Sequence, residues 1–300
     1  MGEWVLLVEG TELGRSIAMC LALVAAVLHA AFAAMQKGIV NPWIMRGAID
    51  ISYGIIALPI ALIAVPWPEP HMWLIFAVTW GIHTAYKVLQ AMAYMRGAYT
   101  VVYPVVRGSG SLFTIIAAFL FFGEIFSWGQ LVGVAVLLSG IFGLALYNLK
   151  NLKLERETLN AALGFALATG AFVALYTSYD AYGIRASTDP FTFLAWLFVI
   201  DSWSMPILGL IYARSRNILL GGQGLLWRGP LGGIVAIASF GSLLMATRLG
   251  KIGEAAVLRE TSTVFAALIG WFFLKETVGL SRVVLIALIA LGAVIVEFAR

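Results

Sequence analysis

The chain has 300 residues and a formal net charge of +4, and 62% of its residues are hydrophobic whereas 11% are charged. Soluble domains carry about 25% charged residues. This composition, with a mean hydropathy of +0.96, therefore excludes a soluble domain and predicts an all-α polytopic membrane protein. The charge carries no nucleic-acid signal, and the single cysteine, Cys20, excludes an intrachain disulfide.

The predicted elements begin after a short mixed segment, residues 1–15, which lacks the basic start and the cleavage site of a signal peptide. Apolar runs of about 20 residues then predict ten membrane-spanning helices. Their bounds are approximately 16–36, 44–65, 72–94, a fourth within 93–124, 128–147, 159–181, 191–212, 229–247, 254–274 and 279–298. A hydrophilic connector, residues 148–158, divides the chain into a first repeat, 16–147, and a second repeat, 159–300.

Ionisable residues inside the first two spans are candidates for function. A charge in the hydrocarbon layer costs between about 3 and 17 kcal/mol on an isolated helix, so it survives only beside a partner or a cavity. The first span holds His29. In the second span, Arg46 and Asp50 lie four residues apart and can pair on one helix face. Local neutralisation by Arg46 is therefore the expected role of Asp50.

The third span is predicted to carry the most polar helix face in the chain. Its polar residues recur at helical spacing, so they lie on one side of the helix: His83, Tyr86, Lys87, Gln90 and Tyr94. Such a face is too polar for lipid. It is therefore expected to line the interior of the protein.

One stretch of the sequence, from Ala93 to Glu124, recurs from Met245 to Glu276. Three charged residues coincide between the two copies: Arg96 with Arg248, Arg107 with Arg259, and Glu124 with Glu276. Because an odd number of crossings inverts the second copy, two halves of five spans each must run antiparallel. This 5+5 inverted repeat is the architecture of many secondary transporters, whose sites lie near the midplane between the repeats.

The matched arginines are the strongest candidates for a binding role. If the fourth helix begins near Tyr99, Arg107 lies about 12 Å along it at 1.5 Å per residue, near the middle of a hydrocarbon layer of about 30 Å. Arg107 shares a helix face with Tyr103 and Ser111. We predict that Arg107 and Arg259 bind a substrate carboxylate or phosphate. The alternative is a structural arginine that neutralises Glu260 or Asp201.

Acidic residues in the later spans are candidates for a charge network or for proton coupling. The sixth span contains Asp180 and the seventh contains Asp201. Glu260 follows Arg259 in the ninth span and is the favoured proton site. Burial disfavours the charged form of a carboxyl group, whereas a nearby arginine favours it, and these opposing effects can let the group exchange a proton near neutral pH. A permanent ion pair is the alternative for Glu260.

Several motifs resemble those of the drug/metabolite transporter superfamily, EamA type. Both copies of the recurring stretch end on an aromatic-rich run with a glutamate, FFGE at 121–124 and FLKE at 273–276. The strings YPVVRGS at 103–109 and LRETSTVFAALIG at 258–270 resemble a bacterial branch with YPxxRGS and LRETS signatures. That branch often has His-Ala-x-Trp-Asn-x-x-x-Lys on the first helix, which this chain matches at His29 and Lys37 without the Trp and Asn. The resemblance implies ten helices and a cavity among helices 1, 3, 4, 6, 8 and 9.

The expected function is secondary transport of small polar organic metabolites, either amino-acid-like or other zwitterionic or anionic solutes, by alternating access. The resemblance favours export, with import as the alternative. An intramembrane enzyme or a channel is a remote alternative, because HExxH, GxxxxGK and GxSxG patterns are missing from the sequence. We expect no metal or other cofactor besides a coupling proton. The expected substrate-binding set is Arg107, Arg259, Tyr103, Ser111, His83, Tyr86, Lys87, His29 and Tyr176, and the expected charge network is Glu260, Asp180, Asp50 and Asp201.

The expected location is the inner (plasma) membrane, with the lipid bilayer and a small-molecule substrate as partners. Gly129 and Gly133 in the fifth span predict close helix packing, either inside the fold or between the protomers of a homodimer. Two indications of orientation disagree. Lys and Arg are more numerous beside the loops opposite the termini, which puts the termini outside by the positive-inside rule, whereas the resemblance puts both termini in the cytoplasm.

Overall fold

The computed structural model describes residues 2–36, 41–96, 99–150, 156–218, 224–272 and 279–299. Within these ranges the regular elements are helices and no strand occurs. In chain order they are α1 (Glu3–Val8), α2 (Glu12–Gln36), α3 (Pro42–Pro59) with a π-helical turn (Ile60–Ala64), α4 (Met72–Arg96), α5 (Tyr99–Phe122), α6 (Trp128–Lys150), α7 (Arg156–Ala186), α8 (Pro190–Asp201), α9 (Ser204–Ser215), α10 (Leu225–Leu249), α11 (Ile252–Arg259), α12 (Ser262–Phe272) and α13 (Leu280–Phe298).

Among the described residues, 8 helical segments are long and apolar enough to cross a membrane. They are Glu12–Phe32, Pro42–Ala64, Val102–Phe122, Trp128–Lys150, Leu159–Ala186, Pro190–Ser215, Leu225–Leu249 and Leu280–Phe298. These segments confirm the predicted multi-pass, all-helical class. α4 is long enough but carries the polar face, and α11 and α12 are short pieces. The arrangement of ten helices therefore stays a prediction.

Two predicted spans are interrupted in the structure. The span predicted at 191–212 is divided into α8 and α9 at Ser202 and Trp203. Pro206 explains this break, because proline has no N–H to donate and its ring clashes with the carbonyl four residues earlier, that of Ser202. The span predicted at 254–274 is divided into α11 and α12 at Glu260 and Thr261, where no proline occurs.

The first compact unit comprises Met1–Lys87 and Tyr179–Gly250. Within it α10 packs against α2 and α3, and α3 also packs against α8 and α9. Aromatic rings fill its core: Tyr53 meets Phe198 edge-on at 5.4 Å between ring centroids, and Phe76 stacks on Phe193 at 5.4 Å. This apolar packing holds α3, α4 and α8 around the polar side chains described below.

The second compact unit comprises Val88–Ser178 and Lys251–Arg300. Its α6 packs closely on α13, because glycines let the two backbones approach. A Cβ atom added at Gly133 would lie 2.7 Å from Val296 N, and one added at Gly140 would lie 2.7 Å from Leu285 O. The predicted close packing of these glycines is confirmed inside the fold, so they no longer argue for a homodimer.

Each unit draws on both halves of the sequence. The predicted repeats, 16–147 and 159–300, concern sequence repetition, and their boundaries stay predictions. Lys37, Glu276 and connector residues 151–155 lie outside the described residues.

Candidate functional site

In the first unit, Lys87 on α4 is enclosed by acceptors from two other helices. Its Nζ donates to Asp50 Oδ2 at 2.6 Å, to Asp201 Oδ2 at 2.8 Å and to Tyr53 Oη at 3.0 Å. The lysine is 1% exposed and Asp50 is fully buried. A buried ammonium is tolerated only when such partners neutralise it. Lys87 therefore ties α3 to the end of α8.

The break after α8 supplies a further acceptor to this lysine. Carbonyls at a helix C-terminus have no N–H partner within the helix. The Asp201 carbonyl accepts from Lys87 Nζ at 3.2 Å and from Tyr53 Oη at 3.3 Å. Tyr53 Oη also donates to Asp201 Oδ2 at 2.7 Å. The interruption of the helix is thus stabilised by side chains from α3 and α4.

His83 lies one turn before Lys87 and extends the same network to α7. Its Nε2 lies 2.7 Å from Asp180 Oδ2, and its Nδ1 lies 3.3 Å from Asp201 Oδ1. Thr79 Oγ1 donates to Asp180 Oδ1 at 3.1 Å. The imidazole packs edge-on against the ring of Phe240 on α10. We call this set, Asp50, Tyr53, His83, Lys87, Asp180 and Asp201, the lysine cluster.

The predicted pair on the second span is present. Arg46 Nε donates to Asp50 Oδ1 at 2.8 Å within α3. Asp50 is therefore shared between Arg46 and Lys87, and local neutralisation stays the predicted role of Asp50.

In the second unit, Arg107 on α5 forms a two-point pair with Glu260 at the break between α11 and α12. Arg107 Nε lies 2.9 Å from Glu260 Oε2, and Nη2 lies 2.9 Å from Oε1. Nη2 is also 3.4 Å from the Arg259 carbonyl and 3.5 Å from Ser262 Oγ. Parallel bonds between a guanidinium and a carboxylate are among the stronger interactions in proteins. The guanidinium of Arg107 is therefore already occupied.

Arg259 differs from Arg107 although both occupy the same place in the sequence repeat. The residue is 4% exposed, and its Nε has no hydrogen-bond partner among the described residues. The neighbouring Glu260 carboxylate is turned towards Arg107. A buried donor without an acceptor costs about 1–3 kcal/mol, and more when it is charged. The Arg259 guanidinium is accordingly the group in this unit most suited to an added anion.

Two further predicted site residues lie near the fourth-span arginine. The Tyr103 hydroxyl interacts with the charges of Arg107, Glu260 and Arg259. Ser111 is 2% exposed, and its Oγ has no hydrogen-bond partner within the part of the chain that the structure describes. We call Tyr103, Arg107, Arg259, Glu260 and Ser262 the arginine cluster.

The other predicted site residues are divided between the two units. Tyr176 is buried in the second unit at 6% exposure. His29 on α2 and Tyr86 on α4 lie in the first unit and are half-buried. The ring of His29 lies 6.0 Å from that of Phe32. The described residues contain no group of three or more His, Cys, Asp or Glu side chains that could hold a metal ion.

Two cluster residues, Tyr53 and Ser262, and Thr79, which donates to Asp180, were missing from the sequence-based set. Helical spacing could have identified two of them. Tyr53 lies three residues after Asp50, and Thr79 lies four residues before His83, so each shares a helix face with a predicted residue. Ser262 belongs to the LRETS string, but its contact with Arg107 depends on the break before α12.

The glutamate of the FFGE string has a structural task. Glu124 accepts from the backbone N–H groups of Ile252 at 2.6 Å and of Gly253 at 2.9 Å. These N–H groups begin α11, where helix donors lack internal partners and the helix dipole favours a negative charge. Glu124 therefore caps the helix that carries Arg259.

Comparison with known proteins agrees with this fold. Residues 160–298 match the model of the EamA-like transporter family. A solved protein, described only as "Crystal structure of protein", superposes with a TM-score of 0.77 at 18% sequence identity, and the match covers 94% of this chain and 99% of that chain. At this identity the likeness shows the fold alone. No curated protein matches the chain significantly.

Proposed function

We propose that this chain is a secondary transporter that moves small polar organic solutes by alternating access, because residues 160–298 match the model of the EamA-like transporter family. Members of this family are transporters and not enzymes. The multi-pass helical fold and the buried charged clusters support this function. Intramembrane charges of this kind usually mark a substrate or ion pathway.

The proposed substrate carries a carboxylate or a phosphate, which binds at Arg259. The observation that carries this proposal is the buried guanidinium whose Nε has no acceptor among the described residues. A guanidinium offers a planar fork of donors that fits the two oxygens of such a group. Arg107, although predicted from sequence as the leading ligand, is assigned to hold Glu260 in place instead.

An amino-acid-like solute is the favoured class within this proposal. Tyr103 belongs to the arginine cluster, and a tyrosine offers both an apolar ring and a polar hydroxyl to an amphipathic solute. Simple anions such as phosphonates or sugar phosphates are the second class to be compared.

Helix breaks in both units support an alternating-access mechanism. Asp201 ends α8 and Arg259 ends α11, and in both places the carbonyl at the helix end accepts from a cation on another helix. Discontinuous helices of this type form the sites of many secondary transporters. The proposed architecture is ten spans in a 5+5 inverted repeat, in which α4 and the pair α11–α12 provide the two remaining crossings.

Direction and location are proposed from family analogy. The direction is export through the inner membrane, with import as the alternative. Lys and Arg in the loops do not settle the orientation, because the positive-inside rule and the family arrangement point in opposite directions.

A ligand screen followed by a transport assay tests the proposed function. Purified protein is first screened by thermal shift against amino acids, phosphonates, polyamines and sugar phosphates. Radiolabelled hits are then measured for accumulation in sealed proteoliposomes. We expect at least one acidic or zwitterionic hit to accumulate behind the membrane. Chemical conversion of the hit without vectorial movement would overturn the proposal.

Variants of Arg259 test the proposed binding group in the same assay. Arg259→Lys should weaken affinity for the hit by about tenfold or more, because one charge-assisted hydrogen bond contributes roughly 1.5–3 kcal/mol. The matched control is Arg15→Lys, which alters an exposed arginine on α2 and should leave affinity unchanged. An unchanged dissociation constant in Arg259→Lys would remove Arg259 from the site.

A further inference from the structure

We propose that His83 carries the exchangeable proton of this protein, held between Asp180 on α7 and Asp201 at the end of α8. If the protein is the transporter proposed above, this proton drives the movement of the solute, so that part rests on the proposed function. The proton site itself rests on the geometry of the lysine cluster.

The contacts of the imidazole supply the first argument. Both ring nitrogens face a carboxylate oxygen: Nε2 at 2.7 Å from Asp180 and Nδ1 at 3.3 Å from Asp201. A neutral imidazole has one N–H donor, and its other nitrogen presents a lone pair. In the neutral ring, one carboxylate would therefore face a lone pair. A ring protonated on both nitrogens satisfies both contacts.

The charge balance of the cluster supplies the second argument. Lys87 of the cluster and the adjacent Arg46 are two cations that face three carboxylates, Asp50, Asp180 and Asp201. Asp50 and Asp180 are fully buried, so an uncompensated negative charge here is costly. A doubly protonated His83 brings the set to neutrality. A neutral His83 leaves one negative charge in excess.

The remaining charged and titratable groups around His83 do not remove this excess. Tyr53 on α3 and Tyr86 on α4 are uncharged in their ordinary state. Arg185 at the end of α7 donates to the carbonyls of Thr247 and Gly250. Arg248 at the end of α10 donates to the Ile184 carbonyl and is paired with Glu9. From α10, the group packed on the imidazole is the apolar ring of Phe240.

Glu260, the proton site favoured by the sequence, is less suited to this task. Both of its carboxylate oxygens are held by Arg107. A guanidinium does not give up its proton in proteins. Arg107 therefore stays charged and keeps both oxygens of Glu260 engaged. Protonation of Glu260 would remove the charge of the pair and weaken its contacts with Arg107, whereas a proton on His83 strengthens the contacts with Asp180 and Asp201.

Release of the proton would act on the break between α8 and α9. The bond between Nδ1 and its proton breaks, the proton passes to water, and the electron pair stays on Nδ1 opposite Asp201 Oδ1. The contact at Nε2 with Asp180 is kept. The contact with Asp201 is the weaker of the two, since Asp201 Oδ1 lacks an aligned hydrogen-bond donor among the described residues. Proton loss therefore frees His83 from Asp201, the last residue of α8.

Nitrogen NMR of labelled histidine tests the proton site without a substrate. The chain has 3 histidines, so protein with ¹⁵N-labelled histidine in lipid nanodiscs gives few signals. His83→Gln identifies the signals of His83, and His71→Gln serves as the matched control. We expect the His83 ring to be protonated on both nitrogens at about pH 7 and to lose one proton only as the pH is raised towards about 11, because the two carboxylates beside it favour the charged ring. A His83 ring that stays in one protonation state throughout would overturn the proposal.

Asp180→Asn provides a second variant that preserves the shape of the site. Removal of a carboxylate beside the imidazolium disfavours the charged ring, so the transition should move to lower pH by about one unit or more. An unchanged transition would show that Asp180 does not hold the protonated ring.

A spin label beside the helix break tests the mechanical consequence. Trp203, which is 56% exposed, is replaced by a labelled cysteine in a Cys20→Ser background. In protein with both histidines intact, we expect the mobility of the label to change over the same pH range as the NMR signal of His83. The His71→Gln variant should show the same change. In His83→Gln the mobility should not depend on pH. A pH response retained in His83→Gln would contradict the link to α8. Because neither measurement uses a solute, a negative transport assay and a negative result here are distinguishable.

Discussion

At the scale of single residues, the two arginines of the sequence repeat have different surroundings. Arg107 is held by both oxygens of Glu260, whereas the Nε of Arg259 has no acceptor among the described residues. Sequence position makes the two residues equivalent, but the carboxylate can face only one of them. We therefore propose a structural role for Arg107 and a binding role for Arg259.

A lysine at position 107 should reduce stability more than it reduces ligand affinity. Arg107→Lys keeps the charge but loses the planar fork that bonds both Glu260 oxygens. We expect a loss of about 1.5–3 kcal/mol in the free energy of unfolding, measured as a lower Tm in detergent. If Arg107→Lys melts like the wild type but binds its ligand more weakly, Arg107 is a substrate ligand as the sequence suggested.

Replacement of the buried lysine should be more damaging. Lys87→Met leaves Asp50 and Asp201 facing each other without their shared cation. Removal of one partner from a buried ion pair costs about 3–5 kcal/mol, so we expect low yield and a strongly lowered Tm. The double variant Lys87→Met with Asp201→Asn removes one of the two charges and should recover part of the loss. No recovery in the double variant would show that the pair does not account for the damage.

At the scale of helices, breaks and caps arrange the clusters. α8 ends where Pro206 removes a backbone donor. At the end of α11, Thr261 Oγ1 donates to the Leu258 carbonyl, and Arg107 donates to the Arg259 carbonyl. The N-terminus of α11 is capped by Glu124. The position of Arg259 thus depends on contacts at both ends of a helix of 8 residues.

Loss of the cap should destabilise the helix that carries Arg259. In Glu124→Gln the side chain keeps one acceptor for the two N–H groups of α11 and loses its charge. We expect a decrease of about 1–3 kcal/mol in the free energy of unfolding. Glu12→Gln, which alters an exposed glutamate in the first turn of α2, should stay within about 0.5 kcal/mol of the wild type. Equal melting of both variants would argue against the cap.

The contact between α6 and α13 should not tolerate a methyl group. A Cβ at Gly292 would lie 2.6 Å from the Gly133 carbonyl oxygen, so Gly292→Ala must separate two backbones at a cost of about 1–3 kcal/mol. Gly164→Ala on α7, where a Cβ meets nothing within 4 Å, should leave Tm unchanged or raise it through better helix propensity. The Tm of each variant is measured by thermal melting. Equal Tm values for Gly292→Ala and Gly164→Ala would refute the close packing.

At the scale of the whole molecule, the number of crossings depends on α4 and on the pair α11–α12. α4 has 25 residues, enough for a span, but its His83 and Lys87 are paired with carboxylates inside the first unit instead of facing lipid. A hydropathy value along the sequence treats each of those side chains as an isolated charge in the membrane. In the fold, oppositely charged partners lower the free-energy cost of burying them. The same reasoning applies to Glu260 in the interrupted ninth span, because Arg107 neutralises it.

Cysteine labelling should show that α4 crosses the membrane. On a Cys20→Ser background, His71→Cys and Arg96→Cys place single thiols at the two ends of the helix. A membrane-impermeant maleimide added to one side of sealed vesicles should label one of these positions and spare the other. Labelling of both from the same side would exclude the ten-span arrangement.

The sequence by itself determined the membrane class, the helical content and most helix positions, because composition and apolar run length act locally. It also identified Asp50, His83, Lys87, Arg107, Asp180, Asp201, Arg259 and Glu260, since an ionisable residue in an apolar run is costly wherever it packs. Only the tertiary structure decided the partners. Lys87 meets Asp201 across 114 positions, and Arg107 meets Glu260 across 153. Such pairings follow from helix packing, which no local pattern of residues encodes.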